Sequence, residues 1–409
     1  MVRVPATATL TERPLRIGHL ASADFSLFLL LRTELEVDLA SGAEVFALSA
    51  PGTWAPHLRS LGVEPVHVPS LSRSWDLGAD TRAAKELYRA LRQLDLDVLH
   101  THMPKAGVLG RVVGRVARVP VIVNTCHGLW AREEDPLLLR CGVTLVEALA
   151  AQLSDFELYQ NADDERALRW AVPPQRRAYV GNGVDLTRFR FDEEGRTRVR
   201  EEWGIGEDEI LVGAVGRVLE SKGVLVFAEV AERLAYRARF AWVGASDEGH
   251  PDAVDVRSEA VRFVGLREDM VDVLSALDVF VHPSFAREGL SRASMEAAAV
   301  GRPIVLTDIK GCREIGRPFR DLLLVRPRSA DDLEAALSLL LEDPGLRARL
   351  GEAARRRSLD AFDQRGVATR SLDVYARVAK KGGRRTRNRR IDNFSGRAET
   401  GRLLLNRPS

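Results

Sequence analysis

The stretch that decides the fold is residues 278–296, DVFVHPSFAREGLSRASME. An apolar run, Val279–Val281, leads into Pro283, where a β ladder must end because proline has no N–H to donate. A polar loop follows, and an amphipathic helix is predicted to begin near Leu290. Strand, loop and helix in this order predict one unit of a parallel α/β sheet.

The same alternation of short apolar and longer amphipathic runs continues outward through the chain. In the first half it predicts strands at Leu15–Leu20, Glu44–Leu48, Val98–His100, Val121–Thr125, Phe156–Tyr159 and Arg177–Val180. In the second half it predicts strands at Ile210–Val215, Arg239–Val243, Val261–Val264, Val279–His282, Pro303–Thr307 and Leu322–Val325. Predicted helices include Asp80–Leu94, Lys105–Ala117, Gly223–Leu234, Leu290–Val300 and Asp331–Leu341. The fold class is therefore α/β, with two Rossmann-like sheets that face each other across a ligand-binding cleft.

The charged stretch Asp192–Glu209 separates the two series and is the predicted hinge. We expect a first Rossmann-like domain over residues 1–190 and a second Rossmann-like domain over residues 191–361. A C-terminal helix at about 362–380 is expected to pack back onto the first domain. Residues 381–409, which begin KGGRRTRNRR, are expected to be a basic, disordered tail. A single large α/β domain is the alternative.

Composition limits the classes of function. The chain has 60 basic and 58 acidic residues, so no overall field favours nucleic acid, and we expect no nucleic-acid partner. Cys126, Cys141 and Cys312 have no metal-binding spacing and predict reduced thiols in the cytoplasm. The longest apolar run near the N-terminus, Leu27–Leu31, is too short to span a bilayer. We therefore expect a cytoplasmic protein, peripheral on the inner face of the membrane.

Two carboxylates flank the predicted helix of residues 290–300. Glu288 lies at the carboxyl end of a strand, beside a helix N-terminus whose unpaired N–H groups suit a phosphate. Glu296 lies about two turns into that helix. Carboxylates accept hydrogen bonds from sugar hydroxyls, so the pair is suited to a molecule that is part diphosphate and part polyol. The alternative is a helix cap and a surface ion pair.

Two other loops carry candidate residues. Gly216-Arg217 and Lys222-Gly223 follow the strand at Ile210–Val215, and their two cations could neutralise a diphosphate leaving group. His127 follows the strand at Val121–Thr125 and could bind a sugar hydroxyl. Taken alone, these residues favour the alternatives, an exposed basic loop and a loop histidine with ordinary hydrogen bonds.

The order of these motifs along the chain resembles the order found in one enzyme family. The series GR-x4-KG, LDVFVHPS, EG-x6-E-A-x-A-x-G-x-P and GCRE, preceded by PKAGVLGR, LYQN and GNGVDLTRF, resembles the retaining glycosyltransferases of family 4, which have the GT-B fold. The resemblance runs from Leu15 to Ala379. It implies an enzyme, a hexosyltransferase that uses a nucleotide-sugar donor.

The resemblance also implies roles for single residues. Arg217 and Lys222 would hold the donor diphosphate, Glu288 the transferred sugar, and His127 would lie over that sugar from the opposite domain. The expected donor-binding residues are Gly216, Val264, Leu266, Gly289, Leu290, Ser291 and Glu296, of which Glu296 would accept from the ribose. Ser291 stands where the family often has proline. Ala21–Phe25 replaces a glycine pair, so Ser22 and Asp24, together with Lys105, are expected on the acceptor side.

The sequences of the segments PKAGVLGR, LYQN, REGLSR and GCRE are most similar to those of bacterial enzymes that build polysaccharide or lipid-linked oligosaccharide. It implies a UDP-sugar donor, a glycan or polyprenyl-linked acceptor, no cofactor and no metal, since fixed cations can replace one. Alternatives are a nucleotide-sugar epimerase or phosphorylase of the same fold, and a non-catalytic nucleotide-sugar-binding protein.

An anionic membrane surface is a further expected partner. Arg111, Arg115 and Arg118 recur at helical spacing beside Val108, Leu109 and Val112, which predicts a basic face with apolar neighbours. The basic tail would add attraction to anionic lipid. The alternative is a solvated helix and an inert tail.

Overall fold

The computed structural model describes residues 14–72, 76–130, 135–247, 249–285 and 289–382. In its first half the strands are β1 Arg16–Ala23, β2 Glu44–Ala50, β3 Glu64–His67, β4 Val98–His102, β5 Val121–Cys126, β6 Phe156–Tyr159 and β7 Arg177–Tyr179. They form one parallel sheet in the order β3-β2-β1-β4-β5-β6-β7. Strands β2 and β3 are added on one side of β1, and β4 to β7 are added on its other side, as expected of a doubly wound sheet.

The second half repeats the arrangement. Its strands are β8 Leu211–Val215, β9 Arg239–Val243, β10 Val261–Gly265, β11 Val279–His282, β12 Ile304–Thr307 and β13 Leu323–Val325. They form a second parallel sheet in the order β10-β9-β8-β11-β12-β13. The predicted α/β class with two Rossmann-like sheets is therefore confirmed.

Helices cover both faces of the first sheet. They are α1 Asp24–Ala40, α2 Ala55–Ser60, α3 Leu77–Leu94, α4 Pro104–Val116, α5 Leu137–Ala150 and α6 Ala162–Leu168. Leu27, Leu31 and Leu35 of α1 pack on one face of the sheet, and α3 and α4 pack on the other. Because both faces are covered, the strands are buried along almost their whole length.

The second sheet is covered in the same way. Its helices are α7 Glu193–Trp203, α8 Val224–Leu234, α9 Met270–Ala276, α10 Arg292–Val300, α11 Ala330–Glu342 and α12 Pro344–Ala361. Helices α7, α9, α10 and α12 contribute to the core on one face, and α8 and α11 to the core on the other.

The chain passes between the halves at two adjacent points. Val184 forms a parallel bridge with Asp363, and a β-carbon at Gly183 would stand 2.4 Å from Cα of Gln364. The last helix, α13 Gln364–Gly382, then packs against α1, β5 and β6 of the first half. Residues 383–409, most of the predicted basic tail, lie outside the described residues.

Three details differ from the sequence prediction. The stretch Asp192–Glu209, predicted as the hinge, contains α7, which is held on the second half because Arg196 and Arg200 both contact the carboxylate of Asp278, at 2.8 and 3.1 Å. Strand β3 was not predicted, since it is a short edge strand that contains Pro65. Helix α10 begins at Arg292 rather than near Leu290.

Candidate active site

The loop after β8 is packed closely against the end of β9. The backbone N–H of Gly216 donates to the carbonyl of Val243 at 2.9 Å, and its carbonyl accepts from Nε1 of Trp242 at 2.8 Å. A β-carbon at Gly244 would stand 2.0 Å from the Gly216 carbonyl oxygen, so this position must be glycine. Arg217 follows, half-exposed, and its Nη1 lies 2.6 Å from Asp247. The predicted diphosphate-binding segment thus has a fixed backbone and a side chain with a carboxylate partner.

The loop that carries Lys222 is joined to the loop after β11. The carbonyl of Ser221 accepts from the backbone N–H of Phe285 at 3.0 Å and from Oγ of Ser284 at 3.2 Å. Gly223 has φ of +80°, and a β-carbon there would stand 2.1 Å from the Pro283 carbonyl oxygen. Lys222 therefore lies at the same edge of the sheet as the loop that leads to Glu288. Glu288 itself lies outside the described residues.

The segment after Glu288 contacts the first half directly. A β-carbon at Gly289 would stand 2.3 Å from the carbonyl oxygen of His127 and 3.5 Å from Oε1 of Gln160. Leu290 is buried in the core of the second half. Ser291 is the N-cap of α10, and its Oγ accepts from the backbone N–H of Ser294 at 3.4 Å and from the Ser294 hydroxyl at 2.8 Å. Serine at this position therefore has a local structural role, because it satisfies a free helix N–H.

Glu296 is buried in α10. Burial raises the pKa of its carboxyl, and Arg292, whose Nε lies 3.0 Å from Oε1, opposes that rise. Nη1 of Arg292 also donates to the carbonyl of Leu29 in α1 at 3.0 Å. Arg292, which the sequence analysis did not select, therefore links the predicted ribose-binding carboxylate to the first half.

Val264 and Leu266 were predicted to lie beside the nucleobase. This segment does border a cavity, but other residues line it. A cavity of about 730 Å³ is bounded by Phe263 and Gly265, together with Val218, Gly244 and Ser246. Val264 packs against the core, and Leu266 is 77% exposed. Since side chains alternate along β10, residues 263 and 265 face the cavity and residue 264 does not.

His127 lies at the end of β5, between the two halves. Its Nε2 is 3.1 Å from Nδ1 of His102, and Gln160 is a further hydrogen-bond partner. Burial lowers the pKa of His127 to about 4, so the ring is neutral at physiological pH.

The three residues predicted on the acceptor side are all buried. Asp24 accepts from the backbone N–H of Trp54 and from its neighbour Phe25, each at 2.7 Å, and so holds the loop after β2. Nζ of Lys105 contacts the carboxylate of Asp80 and donates to Ser72. Ser22 lies near the end of β1. Asp24 and Lys105 therefore have structural partners, and their role towards an acceptor stays a prediction.

The prediction that α4 carries a basic face is wrong for Arg111, the first of the three arginines in that predicted face. Arg111 is almost fully buried, and its guanidinium binds Glu147 of α5 and, at 3.0 Å, Glu157 of β6. Arg115 is half-buried and lies 2.6 Å from Asp155, which leaves Arg118 exposed at the end of the helix. The physical reason is that this arginine spacing points towards α5 and the sheet, where carboxylates neutralise the charge.

A cluster of buried histidines was not predicted. His19 in β1 and His100 and His102 in β4 lie together with Glu34 of α1, with ligand-type atoms within 4.8 Å of one another. Each of the six ring nitrogens of these histidines has a hydrogen-bond partner within the protein. The cluster is therefore a hydrogen-bonded network. In the sequence, the cluster was indicated by His100-Thr101-His102, because residues two positions apart in a strand lie on the same face.

Within the described ranges, no helix is both long and apolar enough to cross a bilayer.

Two families match the two halves of the chain. Residues 32–183 match the family described as Glycosyl transferase 4-like domain. Residues 209–343 match the family described as Glycosyl transferases group 1. The matched ranges include Lys105 and His127 in the first half, and Arg217, Lys222 and the segment 288–296 in the second.

Two bacterial enzymes are similar along most of this chain. The N,N'-diacetylbacillosaminyl-diphospho-undecaprenol alpha-1,3-N-acetylgalactosaminyltransferase of Campylobacter jejuni is 27% identical over 378 residues, which cover 90% of this chain and 100% of that enzyme. The UDP-Gal:alpha-D-GlcNAc-diphosphoundecaprenol alpha-1,3-galactosyltransferase of Escherichia coli is 28% identical over 76% of this chain and 84% of that enzyme.

Solved structures share the two-sheet architecture. The Anabaena protein HepE in complex with UDP superposes with a TM-score of 0.73 at 18% identity, covering 89% of this chain and 100% of that one. A glycosyltransferase from Rickettsia africae superposes with a TM-score of 0.74 at 17% identity, covering 90% and 100% of the two chains.

Proposed function

Because the chain belongs to the GT-B glycosyltransferases, with a 4-like domain followed by a group 1 domain, we propose that it transfers a sugar from UDP to a polyprenyl-linked glycan. The sugar is a hexose or an N-acetylhexosamine, and the configuration at its anomeric carbon is retained. Both similar enzymes are named as alpha-transferases that act on undecaprenol-linked acceptors, and one is named with a UDP-sugar donor. The fold relative HepE of Anabaena is described in complexes with UDP and with UDP-glucose, which supports the same nucleotide.

The observation that carries the proposal is the contact between Gly289 and His127. A side chain at residue 289 would collide with the His127 carbonyl, at 2.3 Å from its β-carbon. The loop that begins at Glu288 therefore meets the first half at the end of β5, and Lys222 lies at the same edge of the second sheet. A nucleotide-sugar with its diphosphate near Lys222 would have its sugar between the two halves.

Charge complementarity suggests how the donor is held. Arg217 and Lys222 neutralise the diphosphate as its charge develops in the transition state. Glu288 binds the transferred sugar, and Glu296 accepts from the ribose hydroxyls. The uracil occupies the cavity beside Phe263 and Gly265, which adjoins the Gly216 loop through Gly244. No metal ion is needed, because the fixed cations supply the positive charge.

The first half supplies the acceptor side. His127 is neutral, so it contacts the sugar as a hydrogen-bonding group without adding charge. The acceptor hydroxyl attacks on the face from which the diphosphate departs, which gives retention of the α configuration of the donor.

A membrane-facing surface for the acceptor is proposed on α5 in place of the basic face of α4. Leu138, Leu145 and Leu149 share one face of α5 and are 88%, 52% and 62% exposed. Val112 and Val116 of the adjoining α4 are also exposed. An exposed apolar helix face of this kind is unusual on a protein that meets only water. We propose that it rests on the lipid surface in which a polyprenyl-linked acceptor is anchored.

A donor and acceptor panel tests the proposed reaction. Purified protein is incubated with UDP- and GDP-sugars, with and without a polyprenyl-diphosphate-linked acceptor, and nucleotide release and product mass are measured. We expect UDP release that depends on the acceptor, and a product heavier by one sugar with an α linkage by NMR. Conversion of a UDP-sugar without any acceptor would instead support an epimerase. Tight binding of nucleotide-sugar without turnover on any acceptor would support a binding protein.

A further inference from the structure

A continuous row of hydrogen bonds joins the inside of the first domain to the cleft. Oδ2 of Asp38 is 2.7 Å from Nε2 of His19, and Nδ1 of His19 is 3.1 Å from Nε2 of His102. Nδ1 of His102 is in turn 3.1 Å from Nε2 of His127. Asp38, His19 and His102 are buried, and they lie on α1, β1 and β4. The row therefore uses both nitrogens of two histidines and ends at the ring of His127, the residue whose backbone carbonyl lies against Gly289.

Each hydrogen bond between two imidazoles needs one donor and one acceptor, so the protonation of one ring determines that of the next. When Asp38 is ionised and His19 is neutral, His19 donates from Nε2 and accepts at Nδ1. His102 and His127 must then each donate from Nε2, which leaves a lone pair on Nδ1 of His127. When His19 carries a second proton, it still donates to Asp38, but both hydrogen bonds between imidazoles reverse, and His127 bears its proton on Nδ1.

We propose that Asp38, His19 and His102 are positioning residues that set which nitrogen of His127 carries its proton. The inference rests on the proposed place of His127 in the active site. It assigns a role to three residues that touch neither donor nor acceptor.

The surroundings favour a second proton on His19 over one on His102 or His127. Burial lowers the pKa of His127 to about 4 and lowers the pKa of His102 well below its ordinary value. Burial also acts to lower the pKa of His19, but the hydrogen bond and charge of Asp38 outweigh it, with help from Glu34, and the pKa is raised.

Other titratable groups face this pair. Glu34 of α1 lies beside His19, and burial raises the pKa of Glu34 to about 7. His100 of β4 lies beside both, with its own bonds to Tyr375 of α13 and Thr125 of β5. These bonds keep His100 outside the row that ends at His127, which makes Tyr375→Phe a matched control within the same cluster.

Nitrogen-15 NMR of the histidine rings tests this proposal without any donor or acceptor. A His127→Asn variant identifies the signals of His127. Because the pKa of His19 is raised, we expect the wild-type ring of His127 to change from Nδ1–H to Nε2–H as the pH is raised through the titration of His19, without becoming a cation. Tyr375→Phe should keep this change. Asp38→Asn removes the carboxylate charge, and the ring should then keep one tautomer throughout.

The inference is overturned if wild-type His127 keeps a single tautomer, if D38N changes tautomer as the wild type does, or if metal analysis finds one zinc ion per chain bound to the cluster. If D38N does not fold by circular dichroism, His102→Gln interrupts the row at its centre, and the same loss of the pH-dependent change is expected. Failure of the sugar-transfer assay alone would leave the NMR result unaffected, so the two proposals fail separately.

Discussion

Gly289 lies against the backbone of His127, and a β-carbon at Gly289 would stand only 2.3 Å from the His127 carbonyl oxygen. The two residues belong to different sheets, so this contact determines how closely the donor-side loop approaches the first domain. Because the clashing atom belongs to the backbone, it cannot move aside as a flexible side chain would.

Gly289→Ala should therefore reduce kcat/KM for the donor by about a hundredfold, since a displacement of about 1 Å at an active site has that effect. The measurement is steady-state nucleotide release, together with thermal unfolding to confirm that the variant folds. Gly142→Ala is the control, because a β-carbon at Gly142 has no atom within 4 Å. Equal loss of activity in both variants would contradict the assignment.

Lys222→Ala and Glu288→Ala should each lower kcat by at least about a hundredfold, the effect of removing one key group that stabilises the transition state. Lys85→Ala, which alters an exposed lysine on α3, serves as the control for loss of one positive charge. Near-normal turnover in both site variants would refute the donor site as proposed.

Turnover should continue in excess EDTA, because Arg217 and Lys222 supply the positive charge that a metal would bring to the diphosphate. The check is the initial rate with EDTA, then with added Mg²⁺ or Mn²⁺. A complete loss of turnover that either ion restores would show that the enzyme needs a metal.

Arg111→Met should destabilise the fold by about 3 to 5 kcal/mol, because it leaves Glu147 and Glu157 buried without their cation. Burial already raises the pKa of Glu147, and Arg111 opposes that rise. Without Arg111 the folded-state pKa rises further above the unfolded value, so the folded state binds more protons and the variant loses stability as pH rises.

Urea unfolding of Arg111→Met at about pH 5 and about pH 8 measures both effects, and the deficit should be smaller at the lower pH. Arg89→Met, at an exposed position on α3, should change the unfolding free energy by at most about 0.5 kcal/mol. A deficit that does not depend on pH would contradict the role of the two carboxylates.

Leu145→Glu combined with Leu149→Glu should weaken binding to liposomes that contain anionic phospholipid, because charges on an apolar face oppose its burial in the lipid interface. Flotation at low and physiological salt gives the bound fraction. Leu359→Glu, at an exposed leucine of α12 in the second half, is the control. If the wild type does not float at either salt concentration, the membrane surface is refuted.

The sequence predicted the sheets well because the signal for a buried parallel strand is local. All six strands predicted in the second half are present, with ends shifted by no more than about one residue. The family resemblance and the enzyme class are confirmed by the two family matches, and the motifs at residues 216–223 and 288–296 follow β8 and β11, which are neighbours in the second sheet. The individual roles of these residues stay predictions.

Helix faces were harder to predict. The spacing of the arginines in α4 predicted a basic face. Spacing alone does not show which neighbouring element that face packs against. A better signal was the glycines of the same helix, because a β-carbon at Gly110 would stand 2.5 Å from Cγ2 of Thr101. Glycines on one face of a helix indicate close packing on a sheet, which places the adjacent Arg111 near buried carboxylates.

By itself the sequence determined the two sheets, the order of the donor motifs and the enzyme class, because periodicity and motif spacing are properties of short segments. Only the tertiary structure decided that Arg111 is buried, that Gly289 meets His127 and that Asp38, His19 and His102 form one row ending at His127. These contacts join residues on separate elements, and the strand order β1-β4-β5 is what brings the three histidines side by side. That order is fixed by long-range packing, which no local pattern encodes.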